Sequence, residues 1–222
     1  WKTEFGENVE FLRISPDDAM LAVANGNMVY ILSCSTGDIL RTLGPYNQSS
    51  DYRLVKSLDF SPDGEMMAIS LEDGRVILVT TGDWKEKAIV YGSYEDTQRV
   101  AFSPQTEDGL IATIGMQYTR LWNYQGTMLE SYGVDQGYIY GNHKIVEFTP
   151  DGRLLAVFGG TKEKDFQLWD IDEVLAGGFI DSALVMEMDD RMENLSFSPD
   201  GSLLAAMNNS RLTVWDIKGN QP

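Results

Sequence analysis

Residue types that carry covalent chemistry are scarce in this chain of 222 residues, which holds one histidine, His143, and one cysteine, Cys34. A Ser-His-Asp arrangement would have to form around His143, and no Gly-x-Ser-x-Gly elbow presents a serine to it. The lone Cys34 excludes an intramolecular disulfide and a cysteine-clustered zinc or iron–sulfur site. A His-Glu-x-x-His pair, a phosphate-binding loop and an EF-hand calcium loop are absent from the sequence. The 34 Asp and Glu residues leave paired-acid glycoside chemistry arithmetically open. Its most conspicuous acids, Asp63, Asp151 and Asp200, each sit between a proline and a glycine, which is turn chemistry rather than catalysis. No catalytic residue, metal site or cofactor is expected.

Residues suited to binding are more plentiful. Tyr46, Asp51 and Tyr52, then Tyr94, Glu95 and Asp96, then Asp135, Tyr138, Tyr140 and His143, then Asp189 and Asp190 fall in four short aromatic-acidic segments. Tyrosine offers a large apolar face and a hydroxyl, the composition of interface anchors. The acids match the whole chain, whose 17 Lys and Arg against 34 Asp and Glu leave a net charge of −17. That balance argues against nucleic-acid backbones and anionic membrane surfaces as partners, and no apolar run is long enough to span a bilayer. It favours a protein or peptide partner with a basic element, steered by the carboxylates. The chain opens at Trp1 without a signal-peptide pattern, so fusion to further domains in a longer chain is an open expectation.

The elements that must position these segments come from a repeat. Five stretches align: from Phe11, Leu58, Val100, Val146 and Leu195, each an apolar strand-like run into a Ser/Thr-Pro turn and out again. Their prolines, Pro16, Pro62, Pro104, Pro150 and Pro199, are 46, 42, 46 and 49 residues apart. Periods in the forties suit four-stranded propeller blades or helical repeats. Ser-Pro-Asp-Gly between runs of four or five apolar residues decides for hairpins. Third strands follow at Met28–Leu32, Val76–Val79, Thr119–Trp122, Phe166–Trp169 and Leu212–Trp215, and more polar fourth strands at Ile39–Leu43, Lys87–Tyr91, Met128–Tyr132 and Ala183–Met188. The fold class is all-β, built of four-stranded antiparallel blades.

With its five phased turns and the endings Leu168-Trp169-Asp170, Val214-Trp215-Asp216 and Leu121-Trp122-Asn123, the chain resembles the WD-repeat β-propellers. Thr36-Gly37-Asp38 and Thr81-Gly82-Asp83 extend the likeness, which runs from Val9 to Lys218. Trp122, Trp169, Asp170, Trp215 and Asp216 are the structural residues it implies. The family's Gly-His pair is missing from every repeat, so its buried hydrogen-bond tetrad is not carried over and packing is expected to be apolar. The resemblance implies a non-enzymatic scaffold that binds proteins or peptides on the face where long loops leave the ring. A propeller glycosidase or lectin-like domain using the same face is the alternative.

The repeats run over approximately 9–43, 55–92, 97–133, 143–188 and 191–218, within one domain covering 1–222. Residues 1–6 resemble the outer strand at 39–44 and are expected to complete the last blade, closing a five-bladed ring. Part of a larger, seven-bladed ring is the alternative. An insertion at 171–181 is expected to open with a helical turn at Asp172–Leu175, acids at its N-end.

Overall fold

The computed structural model describes residues 1–5, 9–46, 54–93, 97–105, 109–133, 145–158, 165–177, 184–187, 194–207 and 211–217. A single turn design sets the architecture. The Ser15 hydroxyl donates to the Asp17 carboxylate (2.6 Å) and accepts the Met20 N–H (2.9 Å), while Asp17 accepts the Ala19 N–H (3.1 Å). Ser61 and Asp63, Thr149 and Asp151, and Ser198 and Asp200 repeat this net. Gly64, Gly152 and Gly201 follow at φ of 71°, 70° and 65°, and Asp18 takes the same left-handed position at 57°; Asp is one of the few side chains that tolerate it. The hydroxyl bonds hold Asp17 and Asp151 below the usual carboxylate range. These acids are committed to the turn, as their setting in the sequence predicts.

Each turn joins the first two strands of a sheet. Sheet 1 comprises β1 (Val9–Ile14), β2 (Met20–Asn25), β3 (Met28–Ser33) and β4 (Ile39–Leu43); sheet 2 comprises β5 (Val55–Phe60), β6 (Met66–Leu71), β7 (Arg75–Thr80) and β8 (Glu86–Tyr91). Sheet 3 holds β9 (Thr97–Phe102), β10 (Leu110–Gly115), β11 (Tyr118–Asn123) and β12 (Met128–Gly133). Sheet 4 holds β13 (Ile145–Phe148), β14 (Leu154–Phe158), β15 (Asp165–Asp170) and β16 (Leu184–Glu187), and sheet 5 holds β17 (Asn194–Phe197), β18 (Leu203–Met207) and β19 (Leu212–Asp216). Strands pair antiparallel with their chain neighbours throughout. The single helix among the described residues, α1 (Ile171–Leu175), is capped by Asp170, whose carboxylate accepts the N–H groups of Asp172 (3.1 Å) and Glu173 (3.4 Å). The aspartate of that Trp-Asp ending therefore starts a helix. Asp216 ends β19, exposed and opposite Leu203.

The sheets stack through four apolar clusters. Ala22 and Ile31 of sheet 1 meet Leu58 and Ile69 of sheet 2; Ala68 and Leu78 meet Val100, Ile111 and Trp122 of sheet 3. Ala112 and Leu121 meet Val146, Leu155 and Trp169 of sheet 4, and Ala156, Phe166 and Leu168 meet Leu195, Leu204 and Ala206 of sheet 5. Every residue of β6 and β10 is buried, as strands sandwiched on both faces must be. Trp122 and Trp169 are buried wedges, and Trp215 is half-buried, stacked on Phe166 at 6.4 Å between centroids. The packing is not purely apolar as expected: the Trp122 Nε1–H donates to the buried Thr113 Oγ1 (3.0 Å) and the Trp169 Nε1–H to Gln167 Oε1 (2.9 Å). A buried indole N–H needs an acceptor, and here the neighbouring strand or the same strand supplies it.

Residues 1–5 form no strand and lie against sheet 1. The Trp1 Nε1–H donates to the Cys34 carbonyl (2.7 Å), the Thr3 hydroxyl to the Gly37 carbonyl (3.2 Å), and Phe5 packs on Tyr30 with centroids 5.1 Å apart. The indole lies so close over Gly37 (φ 78°) that a Cβ there would come within 2.5 Å of it. Sheet 5 has three strands among the described residues, without the fourth expected from residues 1–6.

Candidate binding site where the inner strands meet

The first strand of every sheet contributes to one cavity of about 580 Å³. Strand alternation explains which residues reach it. Counting back from each turn proline, positions three and five residues away face the cavity: Arg13 and Phe11, Ser57, Arg99, Glu147 and Ile145, Ser196 and Asn194. Of the residues between them, Leu58, Phe60, Phe102 and Phe148 are buried between sheets, and Val100 and Val146, buried likewise, also reach the cavity wall.

The cavity wall carries both signs of charge. Arg13 Nε lies 3.3 Å from Asp59 Oδ1, and Asp59 Oδ2 accepts the Phe102 N–H of the next inner strand at 2.7 Å. Glu147 likewise accepts the Phe197 N–H. Burial raises both acids, against the opposing pull of Arg13: Asp59 to about 6 and Glu147 to about 7. Arg99 donates to the carbonyls of Lys56 (3.3 Å) and Gln98 (3.2 Å). Burial, then the like charge of Arg13, lowers it, yet an arginine so placed stays a cation near neutrality. The guanidinium carbons of Arg13 and Arg99 stand 5.4 and 5.2 Å from the centroid of the Phe11 ring, inside cation–π range.

Glu147 in the cavity wall and Asp59 beside Arg13 are two acids with raised proton affinity, the kind of group acid–base chemistry requires. Here each spends an oxygen on the backbone of the adjacent sheet, so the pair first serves to tie inner strands together. The remaining donors and acceptors, with Phe11, suit non-covalent capture of a side chain.

Of the binding residues expected from sequence, Tyr46 lies within the described chain. It packs against the core shared by sheets 1 and 2, its backbone N–H donates to the Asn27 carbonyl (3.1 Å), and its carbonyl accepts from Arg75 (3.1 Å). Burial, then Glu86, holds its phenol well above the ordinary tyrosine value. Asp51, Tyr52, Tyr94, Glu95, Asp96, Asp135, Tyr138, Tyr140, His143, Asp189 and Asp190 lie outside the described residues. Arg13, Asp59, Arg99 and Glu147 were not singled out by sequence reasoning. Their signal is the polar interruption of apolar inner strands at fixed distances before the turn proline.

Comparison with known proteins agrees with this architecture. The model of the family "WD domain, G-beta repeat" matches residues 37–79, which contain β4 and the first three strands of sheet 2. An uncharacterized WD repeat-containing protein of Synechocystis is 27% identical over 143 residues, covering 64% of this chain and 38% of that protein. With the phased Ser/Thr-Pro turns and the antiparallel sheets, these matches support a likeness to the WD-repeat proteins.

Proposed function

We propose that this chain is a non-enzymatic module that binds a protein or peptide bearing a basic element. WD repeats generally mediate contacts between proteins. The observation that carries the reading is the cavity at which five inner strands converge, roomy enough for a side chain and lined by Phe11, Arg13, Arg99 and Glu147. Ile145 and Asn194, the first residues of β13 and β17, line it. The segments carrying Asp135, Tyr138, Tyr140 and His143, and Asp189 and Asp190, precede these residues in the chain. The tyrosines and acids of those segments would engage the partner's basic surface while the cavity takes one anchor side chain.

Binding of fluorescent lysine- and arginine-rich peptides, followed by anisotropy at two salt concentrations, tests this. Affinity should drop roughly tenfold between low and physiological salt, and further with Glu95→Lys/Asp96→Lys or Tyr138→Ala/Tyr140→Ala. Binding indifferent to salt and to both double variants would sink the proposal. Turnover of chromogenic glycosides that is abolished by Glu147→Gln would replace it with the glycosidase alternative.

A further inference from the structure

The charges of the cavity wall are unevenly matched. Arg13 has a carboxylate beside it, its Nε 3.3 Å from Asp59 Oδ1. Arg99 has none among the described residues: its Nη1 donates to the carbonyls of Lys56 (3.3 Å) and Gln98 (3.2 Å). Those two bonds leave the Nε–H and the Nη2 protons, the planar fork that matches a carboxylate. A backbone carbonyl carries no net charge, so Arg99 brings an uncompensated positive charge to the wall, where partial burial strengthens its pull on an anion.

A cationic ligand group finds less there. Phe11, the aromatic ring that would receive it, already has Arg13 and Arg99 at 5.4 and 5.2 Å from its centroid, and both would repel a third cation. The acids are engaged as well. Asp59 serves Arg13 and the Phe102 N–H (2.7 Å), Glu10 accepts the Gly26 N–H (2.9 Å), and Glu147 accepts the Phe197 N–H. Burial raises Glu147 to about 7, so near neutrality it can hold a proton and donate it to an arriving carboxylate instead of repelling it. One uncompensated cation beside such an acid suits a single negative charge rather than two.

We infer that the anchor side chain taken by this cavity is acidic, an aspartate or glutamate of the partner whose carboxylate is forked on Arg99 with Arg13 beside it. The inference rests on the proposed function and gives the partner a mixed character: one acid set among basic residues. The basic residues meet the aromatic-acidic segments, and the acid enters the cavity. A lysine or arginine at the anchor position would face Arg99 without a free counter-charge, which discriminates against uniformly basic peptides.

Two fluorescent peptides differing at one residue test it: a lysine- and arginine-rich sequence with glutamate at its centre, and the same sequence with glutamine there. Anisotropy at neutral pH should show the glutamate peptide binding about tenfold more tightly, and Arg99→Gln should erase that preference. Circular dichroism checks that the variant folds. If it does not, Arg99→Lys keeps the charge, loses the fork and should shrink the preference. Equal affinities, or tighter binding of the glutamine peptide, overturn the inference and leave the proposed function standing. So does a preference for glutamate that the folded Arg99 variant leaves intact, because the carboxylate would then sit elsewhere. Failure of both peptides to bind wild type removes the proposed function, and the inference with it.

Discussion

Sheets 2 and 5 follow one plan. The turn Ser61-Pro62-Asp63-Gly64 and the turn Ser198-Pro199-Asp200-Gly201 use the same hydroxyl–carboxylate net, and Met66-Met67-Ala68-Ile69 parallels Leu203-Leu204-Ala205-Ala206. Yet every residue of β6 is buried, whereas its counterpart β18 is buried only at alternate positions. The difference lies in the neighbours. A repeat of this type specifies strands, turn and two apolar faces, and stacking decides how much of that apolar surface leaves water, as in other quasi-one-dimensional arrays.

The comparison can be broken at matching positions. The largest effect is expected from Trp169→Ala, a buried wedge between sheets 3 and 4, which should cost about 3–5 kcal/mol in denaturant unfolding. Its counterpart Trp215→Ala, half-buried against sheet 4 alone, should cost about 1–3 kcal/mol; equal losses would mean that sheet 5 is covered as fully as sheet 4.

Thr113→Val keeps the shape of β10 but strips the Trp122 indole of its buried acceptor, at about 1–2 kcal/mol. Trp122→Phe made in the Thr113→Val background should then cost less than Trp122→Phe alone, because the indole N–H is already unpaired. Strict additivity in this double-mutant cycle would show that the bond contributes nothing.

Stability should also respond to pH through the inner strands. Asp59 and Glu147 bind protons more tightly folded than unfolded, so their contribution is complete below about pH 4 and drains as pH rises through 6 and 7. Glu147→Gln should flatten that decline and stabilise the protein at pH 8 by about 1–2 kcal/mol; chemical denaturation at pH 5 and pH 8 measures it, and a variant with the wild-type slope refutes the assignment. The smallest effect is expected at the exposed Val214, where Val214→Ala should stay within about 0.5 kcal/mol, against about 2–4 kcal/mol for Leu168→Ala at the matching buried position of sheet 4.

Sheets, turns and α1 were legible in the sequence because local chemistry decides them. Proline, a short hydroxyl, an aspartate and a glycine close the hairpin wherever they occur together, and Asp170 with Asp172 and Glu173 makes a helix start. The course of Trp1–Phe5 was not legible. A short stretch with apolar ends and a polar middle, like Ile39–Leu43, finds any apolar surface, and the choice fell to the Cys34 carbonyl and the bare backbone of Gly37. The cavity joins residues as far apart in the chain as Val9 and Ser196, and the proton affinities of Asp59 and Glu147 arise from burial that no local window contains. Even so, a charged residue three positions before a turn proline, as at Arg13, Asp59 and Glu147, was a visible interruption of an apolar strand.

The offset between the family's repeat and the sheets has a consequence for how such a chain changes length. The matched stretch 37–79 takes the outer strand of sheet 1 and three strands of sheet 2. Deleting one such stretch would join β3 to β8, and β8 would then stand where β4 stood; duplicating it would insert a complete sheet between two complete sheets. Gene-level gain or loss of one repeat thus alters the array by whole slabs, although neither breakpoint falls between slabs, and no intermediate carries a sheet with a missing strand.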